Sequence, residues 1–246
     1  MIFNHISKAL FAFCFLALFN CSSKSQETAD SKIDLGFNSF LYFENNNAFD
    51  SQKSTIETKV KEAVSVVNAK MPTENINIKI RASATNVIPE IDIGGFNPNA
   101  NEVIVSINPN FANLNQSISN ELGPTIAHEM HHAKRRRSVG YGSSLLQAMV
   151  TEGLADSFSV EIFGIAPPIW CTALSTSDLE YWKETASSIW NDTTYNHDEW
   201  FFGVSNDIPR WTGYSVGFKL AQDYLEQNPS LRASDVVDEP ASSFVE

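Results

Sequence analysis

The sequence predicts an α+β fold: a small, mainly antiparallel sheet with one long helix, followed by a mainly helical C-terminal lobe. Two patterns predict it. Between residues 76 and 108, apolar residues alternate with polar ones in short segments, as in strands that bury one face. Beyond residue 121, apolar residues recur every three or four positions, as in helices that pack one face against a core. With 246 residues, 43% of them hydrophobic, the chain is long enough to form one sizeable core.

Turn residues and the spacing of apolar residues set the bounds of the predicted elements. The predicted strands comprise residues 76–81, 91–93 and 101–108. The predicted helices comprise residues 54–70, 122–137, 143–163, 177–190 and 215–227. Gly94-Gly95 and residues 97–99 have the composition of turns, and residues 113–120 that of a polar loop. Residues 192–207 are expected to be irregular, and residues 33–43 receive no assignment.

Residues 1–20 have the pattern of an export signal. His5 and Lys8 give a short positive start, and residues 9–19 form an apolar stretch of eleven residues. This stretch is too short to cross a bilayer as a stable helix. We therefore expect the protein to be exported.

Cys21 follows the apolar stretch at once, and small polar residues come after it. This arrangement resembles a bacterial lipoprotein signal, in which the cysteine becomes the lipidated first residue of the mature chain. The resemblance implies that Cys21 anchors the protein to a lipid membrane of the cell envelope, facing the periplasm or the cell surface. Residues 18–20 depart from the pattern, since small residues are usual before that cysteine.

The rest of the chain is expected to form one domain behind a flexible tether. Residues 21–32 are small and polar, as in flexible linkers. Residues 33–246 then form the single domain, with a sheet lobe at 33–137 and a helical lobe at 138–246. Cys171 has no second cysteine within this domain to pair with, so we expect it to be a small buried hydrophobe.

The charge of the chain argues against a nucleic-acid partner. The net charge is −12, so a phosphate backbone would be repelled. A basic run at residues 134–137 falls where a predicted helix ends. Cations at that position oppose the negative end of the helix dipole, which favours a structural role over a binding patch.

Residues 128–132 read H-E-x-x-H within a predicted helix whose first turn would hold Pro124. Residues four apart on a helix lie about 40° apart around its axis and one turn above each other. His128 and His132 therefore reach one ion from the same face. Glu129 lies beside that face, close enough to hold a metal-bound water. The pattern predicts a zinc site with a built-in general base, as in a metallopeptidase.

The third zinc ligand is expected from the helix that follows. A catalytic zinc commonly has three protein ligands and one open position for water. Glu152 lies twenty residues after His132, and a short loop would place the two helices side by side so that Glu152 faces the histidine pair. Asp156, one turn further along, is placed to accept the free ring N–H of a zinc histidine and fix its tautomer. These residues predict one Zn²⁺ per chain.

This set of residues resembles the gluzincin clan of zinc metallopeptidases, with which it shares the step of four from glutamate to aspartate. The extended pattern, His-His-Ala at 131–133 and Glu-Gly-Leu-Ala-Asp at 152–156, more closely resembles an uncharacterised family of predicted zinc-dependent proteases. The segment 213–218, Gly-Tyr-Ser-Val-Gly-Phe, is similar to a Gly-Tyr-x-x-Gly-aromatic segment of that family. The resemblance runs from about residue 91 to the C-terminus.

The resemblance implies a zincin-like fold and three zinc ligands, which are His128, His132 and Glu152. It also implies that Glu129 is the general base and that Asp156 orients a zinc histidine. An extended peptide substrate would add to the edge of the sheet, which the resemblance places at the predicted strand 101–108.

The oxyanion that develops during peptide hydrolysis needs a donor besides the metal. Tyr214 is the first candidate for this catalytic role, His197 the second and Arg210 the third. Tyr214 also belongs to a helical stripe with Phe218 and Leu225, a spacing that favours core packing at least as strongly. His197 falls in the irregular region, where an ordinary loop residue is the more common outcome.

The sequence thus favours an exported, lipid-anchored zinc metallopeptidase that uses a zinc-activated water and acts on a peptide or protein substrate. The alternative is a non-catalytic zinc-binding lipoprotein that serves as a binding or assembly module. Glu129 discriminates between them, because a pure binding module needs no base beside the ligands. Hydrolysis of a non-peptide bond would use the same site, and nothing in the sequence indicates the oligomeric state.

Overall fold

A computed structural model describes residues 32–44, 47–205 and 207–245. The predicted export signal and Cys21 lie outside the described residues, as does the predicted tether apart from Lys32. Within the described part of the chain, no helix combines the length and the apolar character needed to cross a membrane.

Five strands form one sheet in the order β1-β2-β3-β5-β4. The strands are β1 (Ile33–Gly36), β2 (Ser39–Phe43), β3 (Asn77–Ala82), β4 (Ile93–Asn99) and β5 (Glu102–Ile107). The outer pairs β1–β2 and β4–β5 are antiparallel, whereas β2–β3 and β3–β5 are parallel. The sheet is therefore mixed, and the prediction of a mainly antiparallel sheet was wrong. The unassigned residues 33–43 supply two of its strands, and a helix joins β2 to β3, a connection that makes parallel neighbours.

Six α-helices and two short 3-10 helices complete the described structure. The α-helices are α1 (Lys53–Lys70), α2 (Leu114–Arg136), α3 (Leu145–Phe163), α4 (Thr176–Ser187), α5 (His197–Phe202) and α6 (Thr212–Gln227). The 3-10 helices are Ala233–Asp235 and Ala241–Phe244. The α+β class is confirmed. The helix α5 was not predicted, since it lies in the region expected to be irregular.

The helix α2 begins well before its predicted start at residue 122. It starts at Leu114, so Pro124 lies inside it and not in its first turn, and the predicted polar loop 113–120 is mostly helical. Ile118 and Leu122 are fully buried on this first part of the helix. Burial of these side chains against the sheet outweighs the low helix propensity of the polar residues around them.

The strand β4 runs through two segments that were predicted to be turns, Gly94-Gly95 and residues 97–99. Its two glycines lie where neighbouring atoms come too close to leave room for a side chain. A Cβ at Gly94 would lie 2.5 Å from the carbonyl oxygen of Asn86, and a Cβ at Gly95 would lie 2.6 Å from Cγ of Glu129. The turn prediction failed because glycine allows tight packing as well as turns, and the sequence does not distinguish the two uses.

Two hydrophobic clusters form the core. The first fills the space between the sheet and the helices α1 and α2, and the second lies mainly between α3, α6 and the C-terminal residues. The helix α3 joins them, since Phe158 belongs to the first cluster and Leu154 to the second. The division into one domain with two lobes stays a prediction.

The basic run at residues 134–137 lies in the last turn of α2 and at its end, as predicted. Arg135 is 2% exposed and donates from Nη1 to the carbonyl oxygens of Val237, at 2.7 Å, and Glu239, at 2.9 Å. Its Nε donates to Oγ1 of Thr151 at 3.1 Å. These contacts tie α2 to α3 and to the C-terminal residues, which is a structural role.

Candidate metal centre

The H-E-x-x-H segment lies in the second half of α2, and Glu152 lies in the middle of the neighbouring helix α3. The N-terminus of α3 is fixed by a capping box, in which the Ser144 side chain accepts from the Gln147 backbone and the Gln147 side chain accepts from the Ser144 backbone. This cap sets where α3 starts, and therefore which of its residues faces α2.

The structure brings the three predicted ligands together. Nε2 of His128 lies 2.9 Å from Nε2 of His132 and 3.1 Å from Oε2 of Glu152. Nε2 of His132 lies 3.4 Å from the same oxygen. Ligand atoms from all three residues lie within 4.8 Å of one another, so these residues form a possible metal site.

The chemistry of these atoms fits a zinc ion. Two ligand atoms about 2.1 Å from a tetrahedral zinc lie about 3.4 Å apart, and the pairs here are separated by 2.9, 3.1 and 3.4 Å. Nδ1 of His128 faces Oδ1 of Asp156 at 2.9 Å. Because a carboxylate only accepts, Nδ1 of that ring donates its proton to Asp156, and this contact turns Nε2 toward the other ligand atoms.

The charges in this cluster stabilise one another. Burial alone would lower the pKa of His128, but Asp156 and Glu152 hold it well above its ordinary value. Burial alone would raise the pKa of Glu152, but His132 and His128 hold it well below its ordinary value. The glutamate is therefore an anion over the whole neutral range, the state that a metal ligand requires, whereas a metal ion that binds Nε2 of His128 must displace a proton from it.

Asp156 has two further partners that the sequence did not reveal. Nε1 of Trp170 donates to both of its carboxylate oxygens at 3.1 Å, and Sγ of Cys171 donates to Oδ2 at 3.2 Å. Cys171 is buried, as predicted, but it is also a hydrogen-bond donor. Burial and the neighbouring Asp156 raise the pKa of the thiol well above its ordinary value. Both donors come from the loop after α3, which no spacing rule connects to Asp156.

Tyr141 is a second contact that the sequence analysis missed. It lies in the loop between α2 and α3, and its hydroxyl donates to Oε1 of Glu152. Its ring packs edge-on against His132, with centroids 5.4 Å apart. A tyrosine between two glycines in a short loop carries no motif from which this contact could have been predicted.

Glu129 lies beside the ligands, beneath the strand β4, and is 6% exposed. Burial raises the pKa of its carboxyl group, and the nearby His132 and His128 oppose that shift without cancelling it. A carboxyl group with a raised pKa is closer to the range in which a residue both takes up and returns a proton near neutral pH.

A cleft of 1190 Å³ opens over this face of α2. His128, Glu129 and Asp156 lie on its floor. Its rim carries exposed apolar side chains, which are Phe96, Ile169 and Phe202. The cleft has room for several residues of an extended chain. Glu129 and Asp156, which lie beside the possible metal site, both line it.

Tyr214 lines the same cleft, and its ring packs edge-on against Phe201 with centroids 5.1 Å apart. Burial and the carboxylates of Glu152 and Asp156 raise the pKa of its hydroxyl well above the ordinary value. The position of Tyr214 depends on Gly153 in the segment 152–156 and on Gly217 in the segment 213–218, which lie against each other. A Cβ at Gly153 would overlap the backbone of α6, so α3 and α6 cross closely enough to bring Tyr214 near the site.

The other two oxyanion candidates are engaged elsewhere. His197 stacks on Phe201 with centroids 4.3 Å apart, and its Nδ1 lies 3.1 Å from the hydroxyl of Tyr195. It begins α5 and is not a loop residue. Arg210 lines the cleft, but its Nη1 donates to Oε1 of Glu90 at 2.7 Å.

The prediction that residues 101–108 form the edge strand was wrong, because the neighbouring strand β4 lies at that edge. The predicted strand 101–108 corresponds to β5, which lies between β3 and β4 inside the sheet. In the order of the described strands, β4 stands at the end of the sheet next to the cleft. The resemblance had placed the edge at that strand, and the prediction of a turn at Gly94-Gly95 ended the predicted strand 91–93 where most of β4 begins.

Comparison with known proteins agrees with the geometry of the site. Residues 56–246 match the family described as "Predicted Zn-dependent protease (DUF2268)", and the chain belongs to this family. The "Uncharacterized protein YjfC" of Bacillus subtilis (strain 168) is 31% identical to it over 140 residues, or 50% of this chain. The match spans 44% of that relative, less than half of its length. No solved structure matches the chain, so the zincin-like fold stays a prediction.

Proposed function

We propose that the protein is a zinc metallopeptidase in which Glu129 is the general base. The observation that carries this proposal is the joint position of four side chains. Ligand atoms of His128, His132 and Glu152 lie within 4.8 Å of one another, and Glu129 lies beside them in the lining of the cleft. Bound zinc would supply a Lewis acid and lower the pKa of a water molecule toward ~7.

Residues of the chain would orient the metal ligands, transfer the proton and stabilise the oxyanion. Asp156 holds the Nδ1 proton of His128, which keeps the Nε2 lone pair available for the metal. Glu129 accepts a proton from the attacking water and returns it to the leaving amine, for which its raised pKa suits it. Tyr214 donates from the cleft wall to the developing oxyanion. His197 and Arg210 suit that role less well because Tyr195 and Glu90 occupy them.

An extended peptide would bind along β4. This strand stands at the cleft end of the described sheet, and Gly95 packs directly on Glu129. A strand added to that edge would run past the base and the metal site with its backbone hydrogen-bonded. The close contact between Gly95 and Glu129 then places the scissile peptide bond next to the base.

The competing function, a zinc-binding module without catalysis, accounts less well for Glu129. That residue is buried, its pKa is raised, and it faces the cleft beside the ligand set. Burying an ionisable group has a cost in stability, and a binding module gains nothing from it.

Metal analysis and cleavage profiling of the wild type and of Glu129→Gln test the proposal. We expect about one zinc per chain in both proteins, cleavage of a broad peptide library by the wild type, and a fall of about 10²–10⁴ in kcat for the variant. Glu226→Gln, a change of the same kind on an exposed part of α6, serves as the control. A wild type that binds zinc and cleaves nothing would support the binding module instead.

We propose further that the protein is exported and anchored through a lipid on Cys21, on the strength of the signal pattern in residues 1–20. The test is expression of the full chain and of Cys21→Ser, followed by separation of membrane and soluble fractions. The wild type should incorporate labelled fatty acid and remain with the membrane, while Cys21→Ser should do neither. Equal behaviour of the two proteins would contradict the anchor and leave the catalytic proposal untouched.

A further inference from the structure

The two carboxylate oxygens of Glu152 have different neighbours. Oε2 faces the histidines, at 3.1 Å from Nε2 of His128 and 3.4 Å from Nε2 of His132. Oε1 faces away from them and accepts the hydroxyl hydrogen of Tyr141. Oε1 therefore has a donor outside the ligand set, while Oε2 faces the two histidines that would share the metal.

Tyr141 is held in this position at both ends. Its carbonyl oxygen accepts from Oγ1 of Thr151 at 2.9 Å, so consecutive residues of α3 bind its backbone and its hydroxyl. The guanidinium of Arg136 lies over its ring, 4.9 Å from the centroid, and His132 packs on the ring edge. With its side chain held by three neighbours and its backbone by a fourth, Tyr141 donates its hydroxyl hydrogen without further loss of conformational freedom.

We propose that Tyr141 is a positioning residue that keeps Glu152 a one-oxygen ligand and so preserves the open position of the metal. The inference rests on the proposed zinc site and deepens it. A carboxylate binds a metal through one or two oxygens, and a second bond would fill the position that water and substrate need. A phenol that donates to Oε1 competes with that second bond, because both interactions draw on the lone pairs of the same oxygen.

Tyr141→Phe tests the role, because it removes the hydroxyl and keeps the ring that packs on His132. We expect zinc affinity, measured by competition with a chromophoric chelator, to fall about 10–100-fold, as for other partners of metal ligands. With cobalt(II) in place of zinc, the absorption spectrum should change from the four-coordinate toward the weaker five-coordinate type. The value of kcat should fall as well. Tyr224→Phe, a half-buried tyrosine against Phe244, is the control and should match the wild type in all three measurements.

The outcomes separate this inference from the proposed function. Zinc affinity and a cobalt spectrum unchanged in Tyr141→Phe, with wild-type cleavage intact, would overturn the role of Tyr141 alone. A wild type that binds no zinc would overturn both proposals. If Tyr141→Phe does not fold, X-ray absorption of the zinc-loaded wild type decides the question. A single carboxylate oxygen at about 2.0–2.2 Å supports the role, and two carboxylate oxygens at equal distance overturn it.

Discussion

Glu129 and Glu152 are both almost fully buried, and their surroundings shift their pKa values in opposite directions. Glu129 lies under β4 at the floor of the cleft, where burial raises the pKa of its carboxyl group. Glu152 lies between α2 and α3, where the charges and hydrogen bonds of His132 and His128 lower the pKa of its carboxyl group despite equal burial. The same side chain becomes a group suited to exchange protons in one place and a permanent anion in the other.

In the proposed function, this difference assigns proton transfer to a residue of α2 and metal binding to a residue of α3. The two glutamates are 23 positions apart in the sequence, and composition does not distinguish them. What separates them is contact: β4 covers one carboxyl group, while two imidazoles and a phenol bind the other. Substitutions that remove either set of contacts should therefore have separable effects on catalysis and on metal binding.

Glu152→Gln should have the largest effect, because it removes the anionic ligand. We expect zinc affinity to fall by more than about 100-fold, beyond the loss typical of indirect partners, and cleavage to be lost with it. Zinc present at 1,000 times its dissociation constant stabilises a protein by about 4 kcal/mol, so chelation should lower Tm by roughly 10 °C.

Differential scanning calorimetry with and without a chelator checks this expectation. The chelator should lower the Tm of the wild type and of Glu129→Gln, and it should leave the Tm of Glu152→Gln unchanged. If Glu129→Gln also failed to respond to the chelator, the two glutamates would share the task of binding metal, and the division between them would be wrong.

Gly95→Ala should have the second largest effect, since it disturbs the contact between β4 and Glu129 and leaves the three predicted zinc ligands unchanged. The added Cβ would lie 2.6 Å from Cγ of that glutamate and must displace it. A displacement of about 1 Å in a catalytic group costs up to about 10²-fold in rate. We expect kcat to fall by roughly that factor while zinc content stays at the wild-type level, as shown by steady-state kinetics and metal analysis on the same sample. Wild-type kcat would show that Glu129 does not depend on β4 for its position.

Asp156→Asn should have the smallest effect of the three, because it changes a partner of a ligand and not a ligand. The amide keeps one acceptor for Nδ1 of His128 but removes the negative charge that Trp170 and Cys171 also bind. Zinc affinity should fall about 10–100-fold in chelator competition. An affinity equal to that of the wild type would mean that the charge of Asp156 contributes nothing to the histidine ligand.

Local spacing explains which parts of the fold could be predicted from the sequence. The apolar period of α1 and α3 and the alternation in β3 and β5 gave these elements close to their observed bounds. The polar start of α2 and the glycines of β4 were predicted wrongly, because burial against the sheet and close approach to Glu129 decide the structure of those segments. Propensity describes a residue by itself, whereas the structure of these two segments depends on the sheet and the helix that pack against them.

The sequence by itself predicted which three residues lie together at the possible metal site. His128 and His132 share a helical face by period alone, and a short loop is enough to bring Glu152 and Asp156 opposite them. Only the tertiary structure decided which strand stands at the edge, which oxygen of Glu152 faces the histidines, and that Tyr141 donates to the other. The physical reason is the separation of the contacting residues in the sequence. The helical period fixes neighbours one turn apart, whereas contacts between a loop, a strand and a helix depend on how the whole core packs.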